Sequence, residues 1–350
     1  MGKKDKYIEP YDPLVNIMYG HEKNMKKYSI LLIIVLSSIL ITSGCLDLSS
    51  GSESDLNYGG QYYPEEFVLK GGSEKFWGEY DLDVKHIMFQ SAKEGNQALV
   101  SGEIDVVIGS DSKTVSLFSA IPDKAVIIGT SQKGDRYSTV VKEGSGYESW
   151  YDLKGEKVAT KLGTGAEQVL LRYFDSKDDL DWDDFDWVNL DIKDMSAQLE
   201  TGNIKAFTAW EPTPAISEAM GIGEIMMTYG FVAPVPVCLT TTKDYLENNR
   251  ETIVKFIAAH MEKAEMIEND PDGAAELAAD AASSLGSDVS KEAFLLIFDR
   301  IDFSIEFNQT VKDSVENTAD FLLEKGKISE KPEIIWDDSI IEEAKSLREN

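Results

Sequence analysis

Apolar and polar residues along this chain follow two spacings, one typical of buried strands and one of amphipathic helices. Short apolar runs at residues 84–89, 157–160 and 185–190 predict strands. In the C-terminal third, Ala, Ile and Phe recur at three- and four-residue spacing. That spacing predicts four helices, at residues 250–268, 272–284, 291–300 and 310–325. Strands followed by helices indicate an α/β chain.

One pattern occurs twice, 100 residues apart: residues 96–110 can be laid over residues 196–210. The matched pairs are Leu99 with Leu199, Ser101 with Thr201, Gly102 with Gly202, and Ile104 with Ile204. Each copy predicts a helix end, a left-handed glycine that closes the helix, and a buried strand. With the strand before it, each copy forms a βαβ unit with parallel pairing and a right-handed crossover. We therefore expect two similar lobes, and chance similarity of two junctions is the alternative.

The chain is predicted to cross between the lobes twice, outward at residues 137–142 and back within residues 232–240. Two crossings form a hinge of the kind used by proteins that close around a ligand. The predicted domains are 56–136 for the first part of lobe 1, 137–234 for lobe 2, and 235–350 for the rest of lobe 1 with the C-terminal helices. The fold class is thus α/β, two-lobed, with a two-strand hinge.

The amino terminus predicts export and anchoring. Lys26 and Lys27 precede an apolar run at 30–41, and Thr-Ser-Gly follows at 42–44, directly before Cys45. The run is shorter than the roughly 20 residues that span a bilayer. Thr-Ser-Gly-Cys resembles a lipobox, which implies lipidation of Cys45. We expect an overlong start at 1–24, a signal peptide at 25–44 and a flexible tether at 45–55; an uncleaved short anchor is the alternative. Both place the protein on the outer face of the cell membrane.

Charge and cysteine content narrow the possible partners and cofactors. The chain has 63 acidic and 34 basic residues, a formal net charge of −29, which argues against nucleic acid or an anionic membrane surface as partner. With Cys45 lipidated, Cys238 is the one remaining thiol, and no zinc-type Cys/His spacing is present in the sequence. We expect a monomer with no cofactor and no metal.

The candidate site follows from the fold class. In open α/β sheets, ligands bind beyond the carboxyl ends of strands, where helix amides face outward. Gly163, Thr164 and Gly165 before a helical stretch at 166–174 form a credible anion-binding helix start, although the Lys-Ser/Thr pair of a P-loop is missing. The predicted ligand-binding residues are Gln61, Tyr62, Tyr63, Ser91, Ala92, Ser110, Asp111, Gly163, Thr164, Gly165, Trp210 and Glu211.

Several segments together resemble a known family. They are Ala-Leu-Val-Ser-Gly-Glu-Ile-Asp at 98–105, Asp-Leu-Lys-Gly-Glu-Lys-Val-Ala at 152–159, Gly-Thr-Gly at 163–165, Ala-Trp-Glu-Pro at 209–212 and the lipobox. The chain resembles the nitrate/sulfonate/taurine class of ABC-importer binding proteins. The resemblance implies the type II periplasmic-binding-protein fold, a small-molecule ligand, and ABC permease and ATPase partners. Thiamine-pyrimidine binders and enzymes share this superfamily, but the cysteine-rich segment of the enzymes is absent here.

Within that class, the repeat places Asp111 and Glu211 at equivalent cleft positions, so we expect carboxylates there to repel nitrate and to favour a zwitterion such as taurine. Like charges about 4 Å apart cost roughly 4 kcal/mol at an effective dielectric near 20. Helix capping is the alternative role for both residues. Trp210 and one of Tyr62 and Tyr63 should bury ligand carbon. An aminopyrimidine binder, an enzyme and a sensor module on the same fold remain as alternatives.

Overall fold

The computed structural model describes residues 54–349. The predicted signal peptide, Cys45 and most of the tether lie outside the described residues. No helix within residues 54–349 combines the length and the apolar character that crossing a bilayer requires.

The elements of this part of the chain alternate between strands and helices. The strands are β1 (Leu56–Gln61), β2 (Val84–Phe89), β3 (Val106–Ser110), β4 (Ala125–Gly134), β5 (Tyr137–Lys142), β6 (Lys157–Thr160), β7 (Asp186–Asn189), β8 (Ala206–Trp210), β9 (Gly223–Thr228), β10 (Val237–Thr242) and β11 (Ile301–Asp302). The helices are α1 (Pro64–Gly71), α2 (Ser73–Gly78), α3 (Ala92–Ser101), α4 (Asp111–Ala120), α5 (Gly165–Asp175), α6 (Ile192–Glu200), α7 (Thr213–Ala219), α8 (Lys243–Asn248), α9 (Arg250–Asn269), α10 (Pro271–Ser284), α11 (Lys291–Arg300), α12 (Gln309–Glu324) and α13 (Ser339–Arg348).

Two sheets confirm the two-lobed α/β fold. The sheet of lobe 1 has the order β11-β4-β10-β3-β1-β2, and that of lobe 2 has the order β7-β6-β8-β5-β9. In lobe 1, β1 pairs in parallel with β2 and β3, and β10 runs antiparallel beside β3. In lobe 2, β6 pairs in parallel with β7 and β8, and β5 runs antiparallel beside β8. The two sheets therefore share one strand plan.

The strands of the repeated unit do not pair with each other, which corrects the pairing expected from the βαβ order. β1 lies between β2 and β3, and β6 lies between β7 and β8. In each lobe, the position between these two strands is taken by the strand that precedes them in the sequence. The duplicated unit therefore contains three strands, one more than the sequence comparison indicated. The two glycines behave as predicted: Gly102 has a φ of 77° and Gly202 a φ of 74°, both left-handed.

The outward crossing lies earlier than predicted. β5 is an inner strand of the second sheet, and the chain passes between the lobes at residues 134–136 and returns at 230–236. We call these two segments the hinge. They are bonded to each other: the Gly134 amide donates to the Pro234 carbonyl at 2.8 Å, and the Gly230 amide donates to the Asp135 carboxylate at 2.6 Å.

The C-terminal helices pack mainly against lobe 1, and all four lie within two residues of their predicted bounds. α10 buries a stripe of alanines against α1, which allows a close approach of the two helices. A Cβ on Gly71 would lie 2.4 Å from the Leu277 carbonyl oxygen. α1 begins directly after Tyr62 and Tyr63, so this packing fixes the position of the two tyrosines.

Candidate ligand-binding cleft

A cavity of about 260 Å³ lies between the two lobes, beyond the carboxyl ends of β1, β3 and β8. Its lining consists of Gln61, Tyr62, Tyr63, Gln90, Ser91, Ala92, Ser110, Ser112, Lys113, Arg136, Tyr137, Thr164, Gly165 and Trp210. This is the edge of the sheets at which the sequence placed the site. We refer to the cavity as the cleft.

Most of the predicted site residues come together in this cleft. Those that line it are Gln61, Tyr62, Tyr63, Ser91, Ala92, Ser110, Thr164, Gly165 and Trp210. Gly163, Asp111 and Glu211 are absent from the lining. Both tyrosines line the cleft, whereas strand alternation predicted only one, because Tyr63 lies at the start of α1 where the alternation of β1 no longer applies.

Sequence reasoning missed five lining residues: Gln90, Ser112, Lys113, Arg136 and Tyr137. The first three lie in or beside loops that were correctly placed at strand ends. Arg136 and Tyr137 were missed because the crossing was predicted at 137–142, directly after its observed position at 134–136. No local sequence pattern marks the crossing point, so no signal in the sequence singled out these two residues.

Three helices begin at the cleft, and their first-turn amides lie there. Ser91 precedes α3 and accepts a hydrogen bond from the Glu94 amide at 3.4 Å. Ser110 precedes α4, and its hydroxyl makes no capping bond. Thr164 precedes α5, but its hydroxyl donates to the Lys161 carbonyl at 2.6 Å instead of capping the helix. The partial positive charge of three helix starts therefore converges on one small volume.

Arg136 brings a buried positive charge to the cleft from the hinge. Its side chain is 2% exposed, and Nη1 donates to the Val235 carbonyl at 3.1 Å, while Nε has no hydrogen-bond partner within the described chain. The guanidinium lies 5.5 Å from the ring centre of Tyr63 and 4.9 Å from that of Tyr137. Burial disfavours its charged form, but the neighbouring tyrosines and Asp111 offset this and raise its pKa. The group stays cationic.

Lys113 adds a second cation at the cleft, in the first turn of α4. Among residues 54–349, neither Lys113 nor Arg136 forms a salt bridge. The lining holds no Asp, Glu or His, and no group of three or more His, Cys, Asp or Glu within the described part of the chain is arranged to hold a metal ion. The cleft lining thus contributes positive charge and no carboxylate, although the Ser112 amide of α4 already donates to the buried Asp111 carboxylate behind the lining.

Asp111 and Glu211, predicted to face the ligand, instead bond to the protein. The Asp111 carboxylate is 1% exposed and accepts from the Ser112 amide at 2.7 Å and from the Thr318 hydroxyl at 2.6 Å. Glu211 is 2% exposed and accepts from the Ala215 amide at 3.0 Å. Both carboxylates accept from amides at helix starts, which is close to the capping role given above as the alternative, although the N-cap residues themselves are Ser110 and Pro212.

Gly165 is required by the approach of Tyr137. A Cβ at this position would lie 2.1 Å from the Tyr137 hydroxyl oxygen and 2.8 Å from Cζ. Tyr137 in turn is 3% exposed and packs in the core of lobe 2. The absence of a side chain at residue 165 therefore brings an aromatic hydroxyl beside the start of α5.

Two lobes around a cleft define the fold class of periplasmic binding proteins. The periplasmic aliphatic sulphonate-binding protein SsuA of Escherichia coli superposes with a TM-score of 0.70 at 22% identity, covering 81% of this chain and 92% of that one. SsuA of Xanthomonas axonopodis pv. citri bound to MOPS gives 0.64 at 17% identity, covering 79% and 95%. The nitrate-binding protein NrtA of Synechocystis PCC 6803 gives 0.60 at 15% identity, covering 83% and 88%.

The amino-acid sequence identifies the family to which the chain belongs. Residues 65–282 match the model of the NMT1-like family, and the chain belongs to that family. YtlA of Bacillus subtilis, provisionally named a binding protein, is 25% identical over 213 residues, 59% of this chain and 63% of YtlA. A protein of Brucella abortus with the same kind of name is 24% identical over 215 residues, 60% of this chain and 65% of its own length. These alignments span less than two thirds of each relative.

Proposed function

We propose that this protein is an extracytoplasmic solute-binding protein, not an enzyme, that captures a small organic anion and delivers it to an ABC importer. The structural neighbours named for sulphonate and nitrate binding support the class of ligand. The amino-terminal signal supports export and attachment to the membrane through a lipid on Cys45. The permease and ATPase of the importer would be its protein partners.

The observation that carries this proposal is the charge of the cleft lining. Lys113, Arg136 and the starts of three helices surround the cavity, and no carboxylate lines it. Charge-assisted hydrogen bonds to an anion are roughly twice as strong as neutral ones. The zwitterion preference predicted from sequence depended on Asp111 and Glu211 facing the ligand, and both carboxylates bond elsewhere. The lining favours an alkanesulfonate, with taurine and nitrate as the competing ligands to test.

The rest of the lining suits a short carbon chain. Trp210, Tyr62 and Tyr63 supply apolar ring surface beside the charged end. The volume of about 260 Å³ lies just below the roughly 300–1,000 Å³ typical of sites for drug-sized ligands. A ligand of few heavy atoms fits this space, with its anion toward the helix starts and its carbon against the rings.

A ligand panel tests the proposal. Ethanesulfonate, taurine, nitrate and an aminopyrimidine are each added to the purified protein, and thermal stability and binding heat are measured. A ligand at 100 times its Kd adds about 2.7 kcal/mol to the free energy of unfolding, so binding is visible as a raised Tm. We expect ethanesulfonate to bind more tightly than the aminopyrimidine. No binding of any anion in the panel would refute the proposal.

Replacing Lys113 tests the charge argument directly. Lys113→Gln should weaken ethanesulfonate binding about tenfold, because it removes one charge-assisted contact of about 1.5 kcal/mol. Lys93→Gln is the matched control, since Lys93 lies nearby on α3 but is absent from the cleft lining. Calorimetric titration gives both affinities. Equal weakening by the two substitutions would indicate a general effect of net charge and contradict a direct role for Lys113.

A further inference from the structure

The lobes touch at a third place besides the two hinge segments. α11, which belongs to the C-terminal helices, packs against α7, which follows the last parallel strand of lobe 2. Ala215 of α7 is fully buried in the core of lobe 1. Beside it, Arg300 at the end of α11 faces two carboxylates of lobe 2: Nη1 lies 2.7 Å from Glu218, and Nη2 lies 3.5 Å from Glu211.

Glu211 connects this contact to the cleft. It follows Trp210 directly in the chain, and its amide donates to the Arg136 carbonyl at 3.0 Å. Its Oε2 accepts from the Ala215 amide at the start of α7. Glu211 is thus hydrogen-bonded to the hinge and to α7 and faces Arg300 of α11, while its neighbours Trp210 and Arg136 line the cleft.

Glu211 and Arg300 each have buried polar atoms that lack a hydrogen bond within residues 54–349. Within the described chain, Glu211 Oε1 and Arg300 Nε and Nη2 have no hydrogen-bond partner although all are buried. Their separation of 3.5 Å exceeds the roughly 2.7–2.9 Å of a formed charge-assisted bond. A small relative movement of the lobes either closes this gap to a hydrogen bond or opens it further. Buried groups of this kind are costly when left apart, so the gap is sensitive to the angle between the lobes.

We propose that Arg300 is a positioning residue for the ligand cleft, which sets the closed arrangement of the lobes through its ion pairs with Glu211 and Glu218. The proposal rests on the function proposed above and adds to it a control of affinity from outside the cleft. When the lobes close on a ligand, the Glu211–Arg300 contact shortens, and Trp210 and Arg136 move with it into their binding positions.

The ionisation of Glu211 gives this role a pH signature. Burial raises the pKa of Glu211 to about 7, although Arg300 opposes the rise; Glu218 adds to it. These two residues, from α11 and from α7, are the charged groups acting on Glu211. Below about pH 7 the carboxyl takes up a proton and loses its attraction to Arg300, so affinity should fall as the pH is lowered through 7. An alkanesulfonate stays ionised throughout this range, and the cleft lining holds no His or carboxylate to titrate there.

Three substitutions test the proposal by ethanesulfonate titration from pH 5.5 to 8.5. Arg300→Gln should weaken binding about tenfold at pH 8 and flatten the pH profile, because ionisation of Glu211 no longer favours the closed arrangement once its cationic partner is removed. Arg300→Lys keeps the charge and should restore most of the affinity. Glu218→Gln should move the midpoint downward, because it removes the carboxylate that raises the pKa of Glu211. A flattened pH profile in Arg300→Gln together with a downward shift in Glu218→Gln is not expected from a loss of packing alone.

Arg250→Gln is the matched control. Arg250 also pairs with two carboxylates, Asp337 and Glu343, but it joins α9 to α13 away from the cleft. Its replacement should leave affinity and midpoint unchanged. Unchanged affinity and midpoint in both Arg300→Gln and Glu218→Gln, or equal weakening in Arg250→Gln, would overturn the proposal. If Arg300→Gln does not fold, the pH midpoint of Glu218→Gln tests the proposal by itself: a downward shift supports it, and an unchanged midpoint overturns it.

A ligand-free measurement separates this inference from the proposed function. Hydrogen exchange of the Thr213–Ala219 amides should be at least tenfold faster in Arg300→Gln than in the wild type, and unchanged in Arg250→Gln. If the wild type binds no anion, the proposed function fails while hydrogen exchange still tests the contact between the lobes. If anions bind but neither exchange nor the pH midpoint responds to residue 300, the positioning role fails and the proposed function stands.

Discussion

Gly165→Ala tests the close contact that shapes the start of α5. The new Cβ would lie 2.1 Å from the Tyr137 hydroxyl oxygen and 2.8 Å from Cζ, and nonbonded Cβ contacts below 3.0 Å essentially do not occur. The ring must therefore retreat by about 1 Å, in a core where it is 3% exposed. Such overpacking costs about 1–3 kcal/mol, and the helix propensity of Ala returns at most about 1 kcal/mol.

We expect a net loss of about 1–2 kcal/mol in the free energy of unfolding for Gly165→Ala. Urea denaturation followed by circular dichroism measures it, and ethanesulfonate titration should show weaker binding, because the displaced ring lines the cleft. Gly78→Ala is the matched control. Gly78 ends α2, and a Cβ added there would meet no atom within 4 Å, so its replacement should change stability by less than about 0.5 kcal/mol.

A double-mutant cycle with Tyr137→Phe identifies the atom responsible. Removing the hydroxyl eliminates the 2.1 Å contact and leaves the one to Cζ. The loss of stability in the double variant should therefore be smaller than the sum of the losses in the two single variants by at least about 1 kcal/mol. Strictly additive effects, or a Gly165→Ala protein as stable as the wild type, would refute the steric explanation.

Two further predictions concern stability. Burial holds the pKa of His260 well below its usual value; only the unfolded chain then takes up this proton below about pH 6.5, so the wild type should lose stability relative to His260→Phe by up to about 1.4 kcal/mol per pH unit below that point. A pH series of urea unfolding curves measures this difference, and a constant difference across pH 4.5 to 8 would contradict it. Gly102→Ala and Gly202→Ala should each destabilise by about 1–2 kcal/mol, because both positions are left-handed with open space around them. Thermal unfolding of the single and double variants checks this, and a stabilised variant would contradict it.

Local patterns in the sequence were sufficient to predict these helices and strands and most of the residues that line the cleft. β6 and α11 have the predicted bounds, and the other C-terminal helices lie within two residues of theirs. Apolar spacing and capping residues determine such elements over a few residues of chain. The loops beyond β1, β3 and β8 were also placed correctly, since the carboxyl ends of parallel strands meet at one edge.

Contacts between residues far apart in the sequence could not be predicted from local patterns. The direction of the Asp111 side chain depends on Thr318, more than two hundred residues away, and that of Glu211 depends in part on Arg300. The middle position of β1 and β6 in the sheets likewise depends on strand pairing, which the βαβ order leaves open. Arg136 was missed because the crossing point is defined by the packing of two sheets, and no local pattern marks it.

The C-terminal helices also restrict how this protein could be recombined. Thr318 of α12 donates to Asp111 of lobe 1 and accepts from Arg172 of lobe 2 at 3.1 Å, while Arg300 of α11 faces lobe 2 on its own side. A chimera that imports residues 137–234 from a relative would separate Arg172 and Glu211 from these partners. Such a chimera should show the ligand selectivity of the donor protein only when the donor carries compatible residues at both positions.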